Sequence, residues 1–250
     1  MPVLGVIPAR LGSTRLPRKP LQLLGGVPLV IRVAERVRGL GCLDALAIAT
    51  DAPDVARVAE DAGFRAVLTS SAHQTGTERV AEVAARAEFT GFDLIVNVQG
   101  DEPFVPEDAV TGALARVRGG FDVGSAAAPL DPVHAGDPAR VKVVLDETGR
   151  ALYFSRAPIP HLRDAGDSPE GLYWQHIGIY AFRRDSLMAW VALPPTSLEL
   201  AEKLEQLRAL QHGMTFGIAR LPAPAFPGID TPEDLRRAEA HWQDTQGVTT

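Results

Sequence analysis

Val6-Ile7-Pro8-Ala9-Arg10-Leu11-Gly12-Ser13-Thr14-Arg15-Leu16-Pro17-Arg18-Lys19-Pro20 is the stretch on which the reading of this chain turns. An apolar run, Val3–Ile7, stops at a loop short of carboxylates that carries four cations, Arg10, Arg15, Arg18 and Lys19. Gly12, Ser13 and Thr14 lie between them. A strand feeding such a loop at the edge of an α/β sheet gathers backbone N–H groups and cationic side chains around one small volume. That is an anion site suited to a polyphosphate. The spacing matches neither GxxxxGK[ST] nor GxGxxG, which sets aside the ordinary P-loop and dinucleotide readings. The competing reading is a solvated surface loop.

Outward from that loop, apolar runs of strand length alternate with amphipathic helical stretches. Strands are expected at Val3–Ile7, Ala45–Ala49, Ala66–Leu68, Leu94–Val98 and Val123–Ala127, with helices at Pro28–Arg38, Asp54–Ala62, Thr77–Ala87 and Pro106–Arg118. In the last helix Val110, Leu114 and Val117 share a face. This alternation predicts a mostly parallel sheet with helices on both faces, an α/β fold. Ligands in such sheets bind beyond the carboxyl ends of the strands, a rule that collects Ala9–Lys19, Thr50-Asp51 and Gln99–Glu102 on one rim.

After Pro129 the rhythm changes. Val141–Leu145 and Ala151–Phe154 flank a hairpin turn, Asp146-Glu147-Thr148-Gly149, with glycine at a left-handed position. A strand at Ile177–Phe182 follows a polar loop. The section from about 129 to 183 reads as an antiparallel insertion within a single domain spanning 1–250. Helices at Arg184–Ala192 and Ser197–Gln211, a strand at Thr215–Arg220 and a helix from Pro232 complete the chain, with 247–250 a frayed tail.

Composition bounds what this fold can do. The 250 residues are 46% hydrophobic and 22% charged, ordinary for a soluble enzyme. A net charge of -6 speaks against a general nucleic-acid binder. The single cysteine, Cys42, allows no internal disulfide and no thiolate metal cluster, and it sits in no reactive motif. With neither a signal segment nor a bilayer-length apolar run, the expectation is a cytoplasmic protein with no membrane partner.

Two acidic segments stand out. In Val96-Asn97-Val98-Gln99-Gly100-Asp101-Glu102-Pro103 a buried strand ends in an amide, a glycine permitting close backbone approach, and an acid. An aspartate there suits a magnesium ion beside phosphates, or alternatively a turn or helix cap. In Pro227-Gly228-Ile229-Asp230-Thr231-Pro232-Glu233-Asp234-Leu235, Thr231 fits an N-cap and Pro232 the first helical position. Asp230 gains a role only by pointing at the rim that holds Asp101.

These segments together carry a resemblance. Over nearly its full length the chain resembles the 3-deoxy-manno-octulosonate (Kdo) cytidylyltransferases, or CMP-Kdo synthetases. The matching pieces are IPARLGSTRLPRKPL from Ile7, ATD from Ala49, HQTGTERVAEV from His73, VNVQGDEP from Val96 and VKVV from Val141. ALYFSRAPIP from Ala151, HIGIY from His176, EKLEQLR from Glu202 and GIDTPEDL from Gly228 continue the match. The resemblance implies CTP as co-substrate, with Arg10 and Lys19 on its triphosphate and Ala9, Ser13 and Thr14 around the nucleotide. It places His73, Gln74, Thr75 and Gly76, with Thr77, against cytosine, and one or two magnesium ions on Asp101 and Asp230. It assigns Gln99, Arg156, His176, Tyr180, Glu205 and Gln206 to the sugar-acid pocket, where the fork of Arg156 suits a carboxylate.

Those assignments have local alternatives. His176 and Tyr180, four apart on a strand, also suit a polar cap on a core. Glu202, Glu205 and Gln206 suit the wet face of a helix whose dry face is Leu204, Leu207 and Leu210. Gln99 suits local backbone bonding. The chain departs from the family at Arg18, where glycine is usual, and at Thr75, where serine is more common. Arg18 is either strained at a positive φ or an added cation for the triphosphate. The implied chemistry is attack of the Kdo anomeric hydroxyl on the α-phosphate, with pyrophosphate leaving and no protein nucleophile. A homodimer and a place in lipopolysaccharide biosynthesis go with it. Rival readings are a cytidylyltransferase for another acidic sugar and a non-catalytic CTP-binding protein of the same fold.

Overall fold

The computed structural model describes residues 1–13, 15–164 and 168–247. Two compact units divide the chain: Met1–Asp93, Asn97–Val105 and Phe226–Thr250 form the first, Leu94–Val96 and Pro106–Ala225 the second.

The first unit opens on β1 (Val3–Ala9), whose side chains are buried on both faces, as a parallel strand under helices requires. A 3-10 turn at Lys19–Leu21 leads to a small ribbon of β2 (Leu23–Leu24) and β3 (Val27–Pro28), which the sequence pattern does not announce. Gly25 and Gly26 both have positive φ in its two-residue turn, the geometry that glycine pairs supply. Then follow α1 (Leu29–Gly39), β4 (Ala45–Thr50), α2 (Pro53–Asp61), β5 (Arg65–Leu68) and α3 (Gly76–Ala85). β1, β4 and β5 pair in parallel register, with Ala9 opposite Thr50 and Thr50 opposite Leu68. Thr75 and Glu78 form a capping box at the start of α3. In β6 (Leu94–Val98) the last two residues belong to this unit, and so does the loop beyond them.

The second unit runs through α4 (Glu107–Arg118), β7 (Val123–Pro129), β8 (Lys142–Leu145), β9 (Ala151–Ser155) and β10 (Trp174–Arg183). It ends with α5 (Arg184–Val191), α6 (Ser197–Glu202), α7 (Gln206–Gln211) and β11 (Phe216–Arg220). Val110, Leu114 and Val117 of α4 are buried together, as their spacing requires. β11 pairs parallel to β7, whereas β10 runs antiparallel to β7 and β8, and β8 to β9. The fold class is therefore an α/β fold with a mostly parallel sheet and an antiparallel section. Gly149 closes the β8–β9 hairpin at φ 83°, the left-handed position expected of it.

One helix expected over Ser197–Gln211 is two. Lys203 ends α6 at φ 53°, and the chain leaves the helical conformation there before α7 begins. A buried ion pair, Arg208 to Glu199 at 2.7 and 2.9 Å, ties the two short helices together. The chain returns to the first unit as α8 (Pro232–Gly247), with Thr231 Oγ1 accepting from the Asp234 N–H at 3.1 Å as the predicted cap.

Candidate functional site

In the first unit the two acidic segments and the basic loop meet. Lys19, 15% exposed at its side chain, donates from Nζ to Asp230 Oδ1 at 2.8 Å and to Asp101 Oδ2. Arg15 Nη2 pairs with the other Asp230 oxygen at 2.9 Å. Burial disfavours the Lys19 ammonium, but the charges and hydrogen bonds of Asp101 and Asp230 outweigh it and raise its pKa. Glu102 lies beside them. Burial first, then repulsion from Asp101 and Asp230, pushes its carboxyl well above the usual carboxylate range. A Cβ on Gly228 would stand 3.1 Å from Glu102 Oε1 and 3.7 Å from Asp101 Cγ, so the second acidic loop lies against the first. The Ile229 N–H donates to Asp101 O at 3.0 Å and fixes that approach.

Among the described residues no group of three or more His, Cys, Asp or Glu is arranged to hold a metal ion. The two carboxylates nevertheless converge on one cationic point, the Lys19 ammonium, which stands where a divalent ion would find their oxygens. That donor set is hard and anionic and fits magnesium, which needs few protein ligands because it keeps its waters.

The expected close approach at the β6 loop is present: a Cβ on Gly100 would stand 2.8 Å from Pro8 O. Arg10 is exposed and makes no ion pair with a described residue. Ser13 Oγ accepts from the Leu16 N–H at 3.3 Å, and Ala9 is buried at the end of β1. Thr14 lies outside the described residues. Arg18 sits at φ 52°, ψ 34°, the left-handed conformation, so the positive φ weighed for this position is present, and its guanidinium pairs with Asp54 at 3.2 Å.

The loop ahead of α3 is held from behind. His73 Nε2 lies 2.7 Å from Glu82 Oε2, and the Gln74 N–H donates to Glu78 Oε2 at 2.7 Å. Arg79, 3% exposed, reaches Thr69 and pairs with Asp51 at 3.1 Å. That contact gives the Ala49-Thr50-Asp51 piece a structural purpose: it seats α3, and so the His73–Gly76 loop, on the ends of β4 and β5. Gln99 faces the same loop, with its Oε1 3.6 Å from where a Cβ on Gly76 would be.

The second unit holds the other predicted cluster. His176 is buried on β10, 5.5 Å ring to ring from Tyr180 and 4.9 Å from Phe154. Ser125 on β7 donates its hydroxyl to Ile179 O at 2.7 Å, so its Oγ, 2.9 Å from His176 Nε2, accepts from that nitrogen. Burial takes the His176 pKa down to about 3, which keeps the ring neutral with Nδ1 as an acceptor. Burial and the Glu205 charge push the Tyr180 phenol well above its ordinary value.

Gln206 is buried at 3% exposure and Glu205 is half-buried, so the α6–α7 segment does not turn these residues out to water. Glu202 accepts from Ser155 Oγ at 2.6 Å and from the Arg156 N–H at 2.9 Å. The Arg156 guanidinium binds the carbonyls of Glu202, Pro138 and Lys203 at 2.8, 2.7 and 3.3 Å, leaving one N–H on each terminal nitrogen. Beneath it Lys142, fully buried, gives its three ammonium hydrogens to the carbonyls of Asp137, Arg140 and Arg156 at 2.9, 2.7 and 2.6 Å. Burial lowers its pKa. Ser125, Lys142 and Arg79 are not singled out by the sequence, and Arg15 is named there only as one of four loop cations. The last three lie inside quoted motifs, but only their contacts distinguish them.

Comparison with known proteins gives the family of the chain. The sequence model of the family described as Cytidylyltransferase matches residues 4–216. A 3-deoxy-manno-octulosonate cytidylyltransferase of Gemmatimonas aurantiaca is 52% identical, the match covering 97% of this chain and 95% of that one. The enzyme of the same name from an Anaeromyxobacter species is 48% identical, covering 94% of each. Among solved structures, CMP:2-keto-3-deoxy-manno-octonic acid synthetase complexed with CTP superposes with a TM-score of 0.90 at 36% identity, covering 98% of this chain and all of that one. The chain belongs to the 3-deoxy-manno-octulosonate cytidylyltransferases, within the cytidylyltransferase family.

Proposed function

We propose that this chain transfers the cytidylyl group of CTP to the anomeric hydroxyl of Kdo, releasing pyrophosphate and giving CMP-Kdo for lipopolysaccharide assembly. The observation that carries the reading is the meeting of Asp101 and Asp230, from distant segments, on the Lys19 ammonium of the basic loop. Arg10 and Lys19 grip the triphosphate, with Ala9, Ser13 and Thr14 around the nucleotide and His73, Gln74, Thr75 and Gly76 reading cytosine. Asp101 and Asp230 hold one or two magnesium ions, which when bound neutralise phosphate charge.

The Kdo anomeric oxygen forms a bond to the α-phosphorus as the bond from that phosphorus to the oxygen bridging to the β-phosphate breaks; pyrophosphate leaves with that oxygen, and the hydroxyl proton passes to solvent. No protein nucleophile takes part, so the residues act by positioning and by stabilising charge on the transferring phosphoryl group. Gln99, Arg156, His176, Tyr180, Glu205 and Gln206 receive the sugar. The remaining Arg156 N–H groups face its carboxylate, and neutral His176 accepts from a hydroxyl through Nδ1.

The protein works in the cytoplasm as a homodimer joined at about 129–183, where Val133 and Leu152 are 76% and 57% exposed and would be covered by a second copy. Among the described residues no helix is long and apolar enough to cross a membrane.

Pyrophosphate release from CTP, magnesium and Kdo tests the reading. Release is expected to require all three and to fall sharply when a sialic acid or an amino analogue of Kdo replaces the sugar. Faster release with another sugar acid would shift the substrate assignment. CTP binding without release would leave only a nucleotide-binding protein.

A further inference from the structure

The same ammonium cannot hold two carboxylates together and grip a triphosphate at full strength. Of the three Lys19 Nζ donors, two are committed to Asp101 and Asp230. The oxygens they engage are those a divalent ion would need. Two carboxylates converging on one point, Asp101 only 23% exposed and Asp230 40% exposed, repel each other, and a cation between them is what makes the arrangement favourable. Arg15, on the opposite oxygen of Asp230, remains more than half exposed and does not reach Asp101 in this arrangement.

We infer that Lys19 is a built-in place-holder for the metal. In the nucleotide-free protein its ammonium holds Asp101 and Asp230 together on one point, and so blocks a divalent ion from their oxygens. A triphosphate, more highly charged than either carboxylate, draws the ammonium onto itself and uncovers the pair. Nucleotide and metal then enter as coupled events, and the free protein binds divalent ions poorly although it carries both carboxylates. This rests on the reading of Asp101 and Asp230 as metal ligands and of the first loop as the triphosphate site.

The test needs no turnover. Mn²⁺ binding to the nucleotide-free protein is measured by electron paramagnetic resonance for wild type and Lys19→Met, with Mg²⁺-dependent melting alongside. Removing a unit charge at contact distance should tighten Mn²⁺ on the order of tenfold to a hundredfold and enlarge the melting shift with Mg²⁺. Adding Asp230→Asn to Lys19→Met should abolish the gain. Equal Mn²⁺ affinity in wild type and Lys19→Met overturns the place-holder. If Asp230→Asn in the Lys19-containing enzyme still raises its magnesium requirement, the metal reading survives that failure; if it does not, both fall.

A measurement on wild type keeps the inference testable should Lys19→Met fold poorly. The chain has three lysines, Lys19, Lys142 and Lys203, so ¹³Cε-lysine labelling gives a readable spectrum. Saturating Mg²⁺ without nucleotide should move the Lys19 signal and leave Lys142 in place. Mg²⁺ that raises the melting temperature without moving Lys19 overturns the inference.

Discussion

Arg18 shows how much a single backbone angle can carry. A side chain in the left-handed region costs roughly 1–2 kcal/mol, and glycine returns part of that as lost chain entropy. The pair with Asp54 is solvent-exposed on both sides and offsets little. Arg18→Gly should therefore raise stability by about 0.5–1 kcal/mol in urea unfolding. A destabilised variant would mean that the Asp54 contact outweighs the strain. Arg10 is the opposite case, an exposed cation with no ion pair to a described residue, available to a ligand. Arg10→Ala should leave the melting temperature unchanged and weaken CTP on the order of tenfold to a hundredfold, the loss of one charge-assisted contact. Unchanged CTP binding in isothermal titration would return that loop to ordinary surface.

At the scale of elements, pairing β10 with β7 is what buries His176 against Ser125. The sign of the resulting pH dependence follows from the depressed pKa. Between about 6.5 and about 3 the unfolded chain binds a proton at His176 that the folded chain refuses. Stability is thus fully present above pH 6.5 and falls as pH drops through that window, by about 1.4 kcal/mol per pH unit from this group. His176→Gln should flatten the pH dependence of urea stability between pH 4.5 and 6.5 relative to wild type. Parallel curves would show that the ring is protonated without penalty. The α6–α7 break at Lys203 belongs to the same scale. It supplies the carbonyls that hold Arg156 and brings Gln206 inside, neither of which a continuous amphipathic helix would do.

For the molecule as a whole, Asp230 reaches Asp101 only because α8 returns to the first unit and is fastened there. Trp242 lies under the Arg32 guanidinium, 4.1 Å from its ring centroid, and against Gly25, where a Cβ would stand 2.3 Å from the indole nitrogen. The Gly25 N–H donates to Glu239 at 2.8 Å, and Phe104, Phe226 and His241 pack ring on ring at 4.7–4.8 Å. Trp242→Ala should cost about 2 kcal/mol, since the side chain is only half-buried, and raise the magnesium requirement with little change in the KM for Kdo. An unchanged magnesium dependence would show that Asp230 is placed by its own loop alone.

The alternation of apolar runs and helical stretches determined the α/β class and nearly every strand, because burial on both faces of a parallel sheet leaves no freedom in where apolar residues fall. That the loop from Arg10 to Lys19 and the acid after β6 each follow a strand end was legible as well, since the apolar runs mark where those strands stop. The cap at Thr231 was legible too, being local. What only the tertiary structure decided was non-local or depended on backbone angle. No spacing in the sequence shows that Asp230 stands within one ammonium of Asp101, that Arg79 seats the His73 loop through Asp51, or that Lys142 spends its charge on three carbonyls. The Lys203 break was hidden because helix propensity is a weak local bias. The buried Glu199–Arg208 pair and the packing of Leu204 and Leu207 outweigh it only once the chain has folded.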